Sequence, residues 1–185
     1  MKRIYVDISR CMGCKTCELA CSIGHSPTRR RGLPVTMDLY SAAAGAPESA
    51  RMIHLLNISI GFYPSITMPF QCRHCENPPC MAGCMVDAIY KSNGRVLVNY
   101  DKCIGCRMCM MLCPYGAIDF RGEVGKIVKC DLCPDEAEPL CVSSCPTKAL
   151  MYLDDEELLE VKRRRLASSL EKSISGASTT IIALG

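Results

Sequence analysis

The 185-residue chain has no tryptophan and only three phenylalanines, so a core built on Trp and Phe rings is excluded, and the same scarcity counts against a nucleic-acid binder that stacks bases on aromatic platforms. It has no run of the roughly 20 apolar residues that a membrane-spanning helix needs. The most apolar stretch, residues 174–184, is shorter and carries Ser, Thr and Gly. Residues 1–8, MKRIYVDI, read as a polar, strand-like start with no secretory hydrophobic segment behind them. Arg29-Arg30-Arg31 does not open a twin-arginine signal, because Gly32, Leu33 and Pro34 follow and Thr36, Asp38 and Tyr40 break any apolar stretch. The expected location is the cytoplasm, either free or at the inner membrane face through a partner. No nucleophile and base pair stands out, so the chain is not expected to be an enzyme by itself.

What the chain has in excess is cysteine, sixteen in all. In a cytoplasmic protein so many thiols point to metal rather than to disulfides. Residues 101–118, DKCIGCRMCMMLCPYGAI, contain the run C-x2-C-x2-C-x3-C-P that bacterial ferredoxins use to hold iron-sulfur clusters. Cys103, Cys106 and Cys109 are close enough along the chain to wrap one 4Fe-4S cube, and Ile104-Gly105 supplies a tight turn that lets backbone N–H groups approach the sulfides. Cys113 points away, toward a second cluster, as the fourth cysteine does in two-cluster ferredoxins. Three further quartets account for the remaining cysteines: Cys11, Cys14, Cys17 and Cys21; Cys72, Cys75, Cys80 and Cys84; and Cys130, Cys133, Cys141 and Cys145. All four close with C-x3-C, and three lead into related sequence, Ala88-Ile89-Tyr90, Ala117-Ile118-Asp119 and Ala149-Leu150-Met151. This is an internal repeat, and four 4Fe-4S clusters would use every cysteine.

Between the quartets the signals are those of short elements. Ile4, Val6 and Ile8 alternate with Tyr5 and Asp7, which predicts a strand entering the first quartet, and a helical turn is expected over 18–21. Residues 25–52 depart from the repeat and read as an insertion, either a docking surface or a poorly ordered loop. Residues 52–60 have strand composition. Asn93-Gly94 predicts a hairpin pairing 89–91 with 95–99, and a similar hairpin is expected around 122–125. From Asp154 the chain turns helical, with acidic residues first and basic ones later, as the helix dipole favours. Leu159, Leu166, Leu170 and Ile174 fall near one face, so a surface helix packed on its own domain is expected, and residues 175–185 are expected to be mobile.

Lys15, Arg73, His74, Lys102, Arg107 and Lys129 stand close to the cysteines, where positive charge would favour a reduced cluster. Met12, Met81, Met85, Met108, Met110 and Met111 are expected to line the cubes and exclude water. The formal charge of +3 belongs to the metal-free chain; four clusters at about −2 each with their ligands would make it about −5. Basic balance therefore argues nothing about nucleic acid. A four-cysteine zinc site is the competing chemistry, most plausible for Cys130, Cys133, Cys141 and Cys145, and would make the chain a structural module. The prolines after Cys113 and Cys145 and the close spacing within quartets favour iron-sulfur.

The stretches MPFQCRHCENPPC, NYDKCIGCRMCMMLCPYGAI and KCDLCPDEAEPLCVSSCPTKAL resemble the four-cluster, ferredoxin-like electron-transfer subunits of anaerobic oxidoreductases, among them the β subunits of formate dehydrogenase and dimethyl sulfoxide reductase and the small subunits of hydrogenase complexes. With the first quartet, the resemblance covers most of residues 1–153. The start, RIYVDISRCMGCKTCELACSIGHS, and Cys84-Met85 look most like the iron-sulfur subunit that partners carbon monoxide dehydrogenase. The resemblance implies an α+β fold of two ferredoxin-like dicluster units related by a pseudo-twofold, with short β-hairpins, helical turns and a C-terminal helix. Residues 1–25 with 129–153 would form the first unit and 66–128 the second, with 26–65 an insertion and connecting strand and 154–185 a helix and tail. It implies cubes held by Cys11, Cys14, Cys17 and Cys145; by Cys130, Cys133, Cys141 and Cys21; by Cys72, Cys75, Cys80 and Cys113; and by Cys103, Cys106, Cys109 and Cys84. It further implies a donor, carbon monoxide dehydrogenase, and an acceptor, a hydrogenase or a flavin NAD(P) reductase. The alternative is the β subunit of a molybdenum or tungsten oxidoreductase.

Overall fold

The repeated Ala-apolar step after a quartet has a structural cause. In a computed structural model, which describes residues 1–25, 53–58, 66–122 and 124–182, Ala88, Ala117 and Ala149 are all buried, and so are Ile89, Ile118 and Leu150 behind them. Each alanine lets the backbone pass close to the cysteine loop, and each larger residue anchors the strand that follows. The strands run β1 (Arg3–Val6), β2 (Ile53–Ile58), β3 (Ile66–Gln71), β4 (Ile89–Ser92), β5 (Arg95–Val98), β6 (Ile118–Arg121), β7 (Lys126–Lys129) and β8 (Leu150–Leu153). The helices are α1 (Thr16–Gly24), three single turns α2 (Pro79–Ala82), α3 (Met108–Leu112) and α4 (Leu140–Ser143), and the long α5 (Asp155–Ile182).

The strands pair only two by two: β1 with β8, β2 with β3, β4 with β5 and β6 with β7. Both expected hairpins are present. Asn93 and Gly94 each take positive φ, 48° and 75°, the pair of conformations a type I′ turn needs, and they join Ser92 to Arg95 in register. In β6–β7 the return passes Gly125, also at positive φ, and sets Arg121 against Lys126. The β1–β8 ribbon is of another kind, since it joins the start of the chain to the segment after the last quartet. Asp7 N–H donates to Ala149 O at 2.7 Å, and Ile4 and Leu150 are buried in the same apolar cluster.

Two apolar clusters result. One gathers Ile4, Ile53, Leu132, Val142 and Leu150 around cysteines of the first and fourth quartets; the other gathers Ile89, Val96, Ile118 and Ile127 around cysteines of the second and third. The turns that carry cysteines pack in the same pairs, α1 on α4 and α2 on α3.

By compactness residues Ile4–Tyr152 form one unit, and Met1–Arg3 with Leu153–Gly185 form another. In the second, Asp154 and Glu157 cap α5 reciprocally: Asp154 N–H donates to Glu157 Oε2, and Glu157 N–H to Asp154 Oδ1, both at 2.9 Å. This is a capping box with Asp in the first position. Lys2 Nζ also meets Glu157 at 2.9 Å, an exposed pair of small worth. These contacts hold the Glu157 carboxyl below the usual carboxylate range, the Asp154 N–H first and Lys2 next.

Three expectations need correction. The expected helical turn at 18–21 is a nine-residue helix, Thr16–Gly24. Helix α5 continues to Ile182, so most of the segment expected to be mobile is helical. Its apolar stripe is not covered: Leu159, Leu166, Leu170 and Ile174 are 50–69 % exposed, because four such residues in a strongly charged helix make too narrow a stripe to bury. The insertion over 26–52 lies outside the described residues. Asp154→Ala should cost about 1 kcal/mol at the helix start, seen as faster amide exchange over the first turn of α5 with the exchange of β4–β7 unchanged.

Candidate metal centres

Wrapping three cysteines around one metal cluster requires the backbone to reverse within a few residues, and it does so the same way each time. The residue two places after the first cysteine has positive φ in all four quartets: Gly13 (72°), His74 (47°), Gly105 (71°) and Leu132 (64°). In the two quartets with the tightest spacing the residue after the second cysteine does too, Lys15 at 60° and Arg107 at 63°. At Gly105 only glycine fits, since a Cβ there would stand 2.0 Å from Gly125 O, a backbone atom of the β6–β7 turn. Three residues after the last cysteine, Asp87, Gly116 and Lys148 again take positive φ. This second turn aims N–H groups back at sulfur: Ala88 N–H reaches Cys84 Sγ at 3.3 Å and Ala117 N–H reaches Cys113 Sγ at 3.4 Å. His74 N–H does the same for Cys72 Sγ at 3.4 Å. Such donors favour thiolate over thiol. At Cys145 burial opposes ionisation, but N–H groups of Leu150, Ala149 and Thr147 with the Thr147 hydroxyl outweigh it and bring the thiol below its usual range.

Eight of the sulfurs line two cavities. Cys72, Cys75, Cys80 and Cys113 line one small cavity; Cys84, Cys103, Cys106 and Cys109 line another. Each takes three cysteines from one quartet and the last from its neighbour, and neither is lined by a carboxylate. In the other half Cys141 lies close enough to Cys130, Cys21 and Cys133 for their charges to oppose its ionisation, though burial is the larger cause of its high value. Cys11, Cys17 and Cys145 share one cluster with them, and Cys14 is beside Cys17. Burial pushes Cys17 and Cys109 up to about 11 and raises Cys130 further. Thiols so placed gain most from a metal that displaces their protons. In the two cavities, four converging sulfurs with no carboxylate in the lining and N–H donors to sulfur fit a thiolate-bound 4Fe-4S cube.

The expected tuning residues separate into groups. Lys15 and Lys102 are exposed. Arg73 and Arg107 are exposed too, but each lines a cysteine cavity, and the Arg107 guanidinium stacks 3.7 Å above the Phe120 ring. His74 is buried and accepts Val96 N–H at Nδ1, 3.0 Å away. Lys129 is only 2 % exposed. Of the methionines, Met81 and Met110 pack on the second cluster, whereas Met12, Met85, Met108 and Met111 are 43–83 % exposed and are not among the residues lining the two cysteine cavities. A five-residue α3 has room for only one inward face, which Cys109 and Met110 occupy.

His25 was not among the residues expected to matter at the metal centres. One turn beyond Cys21, it places Nδ1 2.9 Å from Cys21 O and 3.7 Å from Cys21 Sγ, and Nε2 3.3 Å from Asp131 Oδ1. Burial alone would lower its pKa, but Asp131, Cys133 and Cys21 overcome this and raise it well above the ordinary histidine value. Burial likewise opposes ionisation of Asp131, and His25 outweighs it to hold the carboxyl low. The only sequence signal was spacing: a histidine four residues after a ligand, and an acid between Cys130 and Cys133.

Comparison with known proteins bears directly on this geometry. A family described as "4Fe-4S dicluster domain" matches residues 64–155, and one described as "4Fe-4S binding domain" matches residues 8–29. A subunit of the anaerobic dimethyl sulfoxide reductase of Escherichia coli strain K12 is 39 % identical over 159 residues, covering 83 % of this chain and 74 % of that one. An "Iron-sulfur protein" from Rhodospirillum rubrum is 35 % identical over 187 residues, covering 90 % and 91 %. The protein belongs to the ferredoxin-like 4Fe-4S subunits of anaerobic oxidoreductases. The "Electron transport protein HydN" of Escherichia coli strain K12 is similar as well, 33 % identical over 183 residues, 89 % and 96 % of the two chains. As a member of this family the chain is an electron-transfer subunit, and its sixteen cysteines are the number that four 4Fe-4S clusters require.

Gly105→Ala should force the 103–106 loop off the β6–β7 turn and lower bound iron by about one cluster in four, measured by anaerobic iron analysis. Gly13→Ala, whose Cβ would meet only the Thr67 side chain at 3.3 Å, should lose less.

Proposed function

We propose that this chain conducts electrons from a catalytic subunit to an acceptor through four clusters held in crossed sets: Cys11, Cys14, Cys17 and Cys145; Cys130, Cys133, Cys141 and Cys21; Cys72, Cys75, Cys80 and Cys113; Cys103, Cys106, Cys109 and Cys84. The observation that carries the proposal is the pair of cavities in which three cysteines of one quartet meet the last of another. Two dicluster halves, 1–25 with 129–153 and 66–128, are part of the same reading, as is a cytoplasmic location. Among the described residues no helix is long and apolar enough to cross a membrane.

A bound 4Fe-4S cluster supplies a site that takes up and returns one electron. The protein's part is to hold such sites in series and to choose where they are reached. Cys130 lies close enough to Cys72 to feel its charge, so the sets containing these two cysteines are neighbours and form the middle of the series. The remaining two sets are its ends. They contain Cys14 and Cys106, the only exposed cysteines, each two residues after an exposed apolar residue of its loop, Met12 (68 % exposed) and Ile104 (64 %). These loops are where donor and acceptor approach. With all four cysteines of each set committed to iron, no coordination position is left for a substrate, which is why the chain is not itself an enzyme in this reading.

For the partners, the relatives favour a molybdenum or tungsten oxidoreductase of the dimethyl sulfoxide reductase or formate dehydrogenase type, the similarity to a subunit of anaerobic dimethyl sulfoxide reductase being the support. A second reading, carbon monoxide dehydrogenase as donor with a hydrogenase or a flavin NAD(P) reductase as acceptor, rests on the 3–26 segment and on Cys84-Met85. Anaerobic co-purification separates them: a partner carrying molybdenum or tungsten supports the first, and one carrying nickel the second.

The ligand sets are tested by anaerobic metal analysis and EPR of the reduced protein. About 16 irons per chain are expected, and zinc in their place would end the reading. In Cys113→Ser the missing EPR signal should be the one missing in Cys75→Ser. Loss of the signal missing in Cys106→Ser would show that the last cysteine serves its own quartet instead.

A further inference from the structure

Lys129 is the last residue of β7 and immediately precedes Cys130, yet its side chain turns inward and is 2 % exposed. Burying an ammonium is costly unless its charge is compensated, and here the compensation is unusual. Nζ donates to the carbonyl oxygens of Val96 and, at 2.9 Å, of Cys130. Among the described residues no carboxylate pairs with it. Two carbonyl dipoles accept from Nζ without cancelling the positive charge of an ammonium placed there.

The two carbonyls belong to different halves. Val96 lies in β5; its side chain helps line the cavity of Cys72, Cys75, Cys80 and Cys113, and its N–H is held by His74 within the second quartet. Cys130 opens the fourth quartet. The sulfurs nearest in electrostatic terms follow the same division, for the charge of Lys129 acts on both Cys80 and Cys130. The residue thus stands at the seam where the middle two cysteine sets meet, with Cys72 packed against the core of the first and fourth quartets.

We propose that Lys129 is a fixed positive charge shared by the two middle clusters, one from each half, and that it raises the reduction potential of both while leaving the end clusters nearly untouched. The proposal rests on the ligand sets given above. Its physical basis is that a cation in a poorly solvated seam is little screened and favours the state with the extra electron on either side. An electron crossing from one half to the other would then meet a stabilised pair of sites where the two units join. Lys102, exposed beside Cys103, should have much less influence.

The experiment is an anaerobic redox titration followed by EPR on the iron-loaded chain, comparing the natural protein with Lys129→Met, Lys129→Arg, Lys129→Gln and Lys102→Met. With iron content preserved, two of the four reduction steps should move to lower potential in Lys129→Met and Lys129→Gln, and should return toward their original positions in Lys129→Arg. The shift should persist at high salt, and Lys102→Met should leave the steps nearly in place. No shift at full iron content, or an equal shift of all four steps, overturns the proposal. Gln can still donate to Val96 O without carrying a charge, so a Lys129→Gln protein that keeps its iron and its original steps while Lys129→Met loses iron shows Lys129 to be a structural brace and overturns the tuning role. A natural protein with markedly fewer than about 16 irons, or with zinc, would instead overturn the ligand sets and would be seen before any variant is made.

Discussion

Convergence of sulfurs from distant parts of the chain is the constraint on which the rest of this structure depends. A four-thiolate cavity cannot be closed by one quartet when its last cysteine points elsewhere, so each half needs two quartets held face to face. The two-stranded ribbons accomplish this. β4–β5 leads from the second quartet to the third and β6–β7 from the third to the fourth, each through a short turn, a local task. For the first and fourth quartets, more than a hundred residues apart, the β1–β8 ribbon and the packing of α1 on α4 do the same work at long range. None of these ribbons is a sheet able to stand alone, and a two-stranded hairpin is marginal in water. Their stability is tied to the apolar clusters around the cysteines and to the metal that satisfies the buried thiols.

The recurrent backbone shows how a repeated sequence meets one geometric demand with different residues. Positive φ two places after the first cysteine is met by glycine in the first and third quartets, but by His74 and Leu132 in the second and fourth. At Gly105 the turn is crowded by another backbone segment, so no side chain fits. Histidine and leucine carry some strain, and both are buried to 2 % exposure, which gives a packing contribution that glycine could not. The first quartet departs in another way: α1 runs past Cys21 to Gly24, and His25 takes the place where the others have a turn of N–H donors toward sulfur.

Exposure is distributed in a manner suited to a conductor. In the proposed series the cysteines of the two middle sets are buried or half-buried, with a buried lysine among them, while the loops at the proposed ends show one cysteine each to solvent. Electron exchange with partners requires approach, whereas transfer between neighbouring sites requires only closeness within a rigid frame. The protein therefore needs no moving part for the function proposed here, and the positive-φ turns supply the rigidity.

Much was legible in the amino-acid order alone because ligand spacing is a local code. C-x2-C-x2-C-x3-C-P specifies the chemistry within a single short run, Asn93-Gly94 specifies its turn with two residues, and the Ala-Ile and Ala-Leu steps mark buried anchors. The internal repeat made four quartets, and hence the number of clusters, readable without coordinates. Tertiary structure alone decided the questions that depend on distance between remote segments. It set which quartets face each other, which of six nearby cationic or histidine side chains is a buried cation, and that four of six methionines face solvent. It also brought His25 to Asp131, 106 residues away. The physical reason is that metal ligation and turn geometry act over a few residues, whereas burial and electrostatics are properties of where the folded backbone passes beside itself.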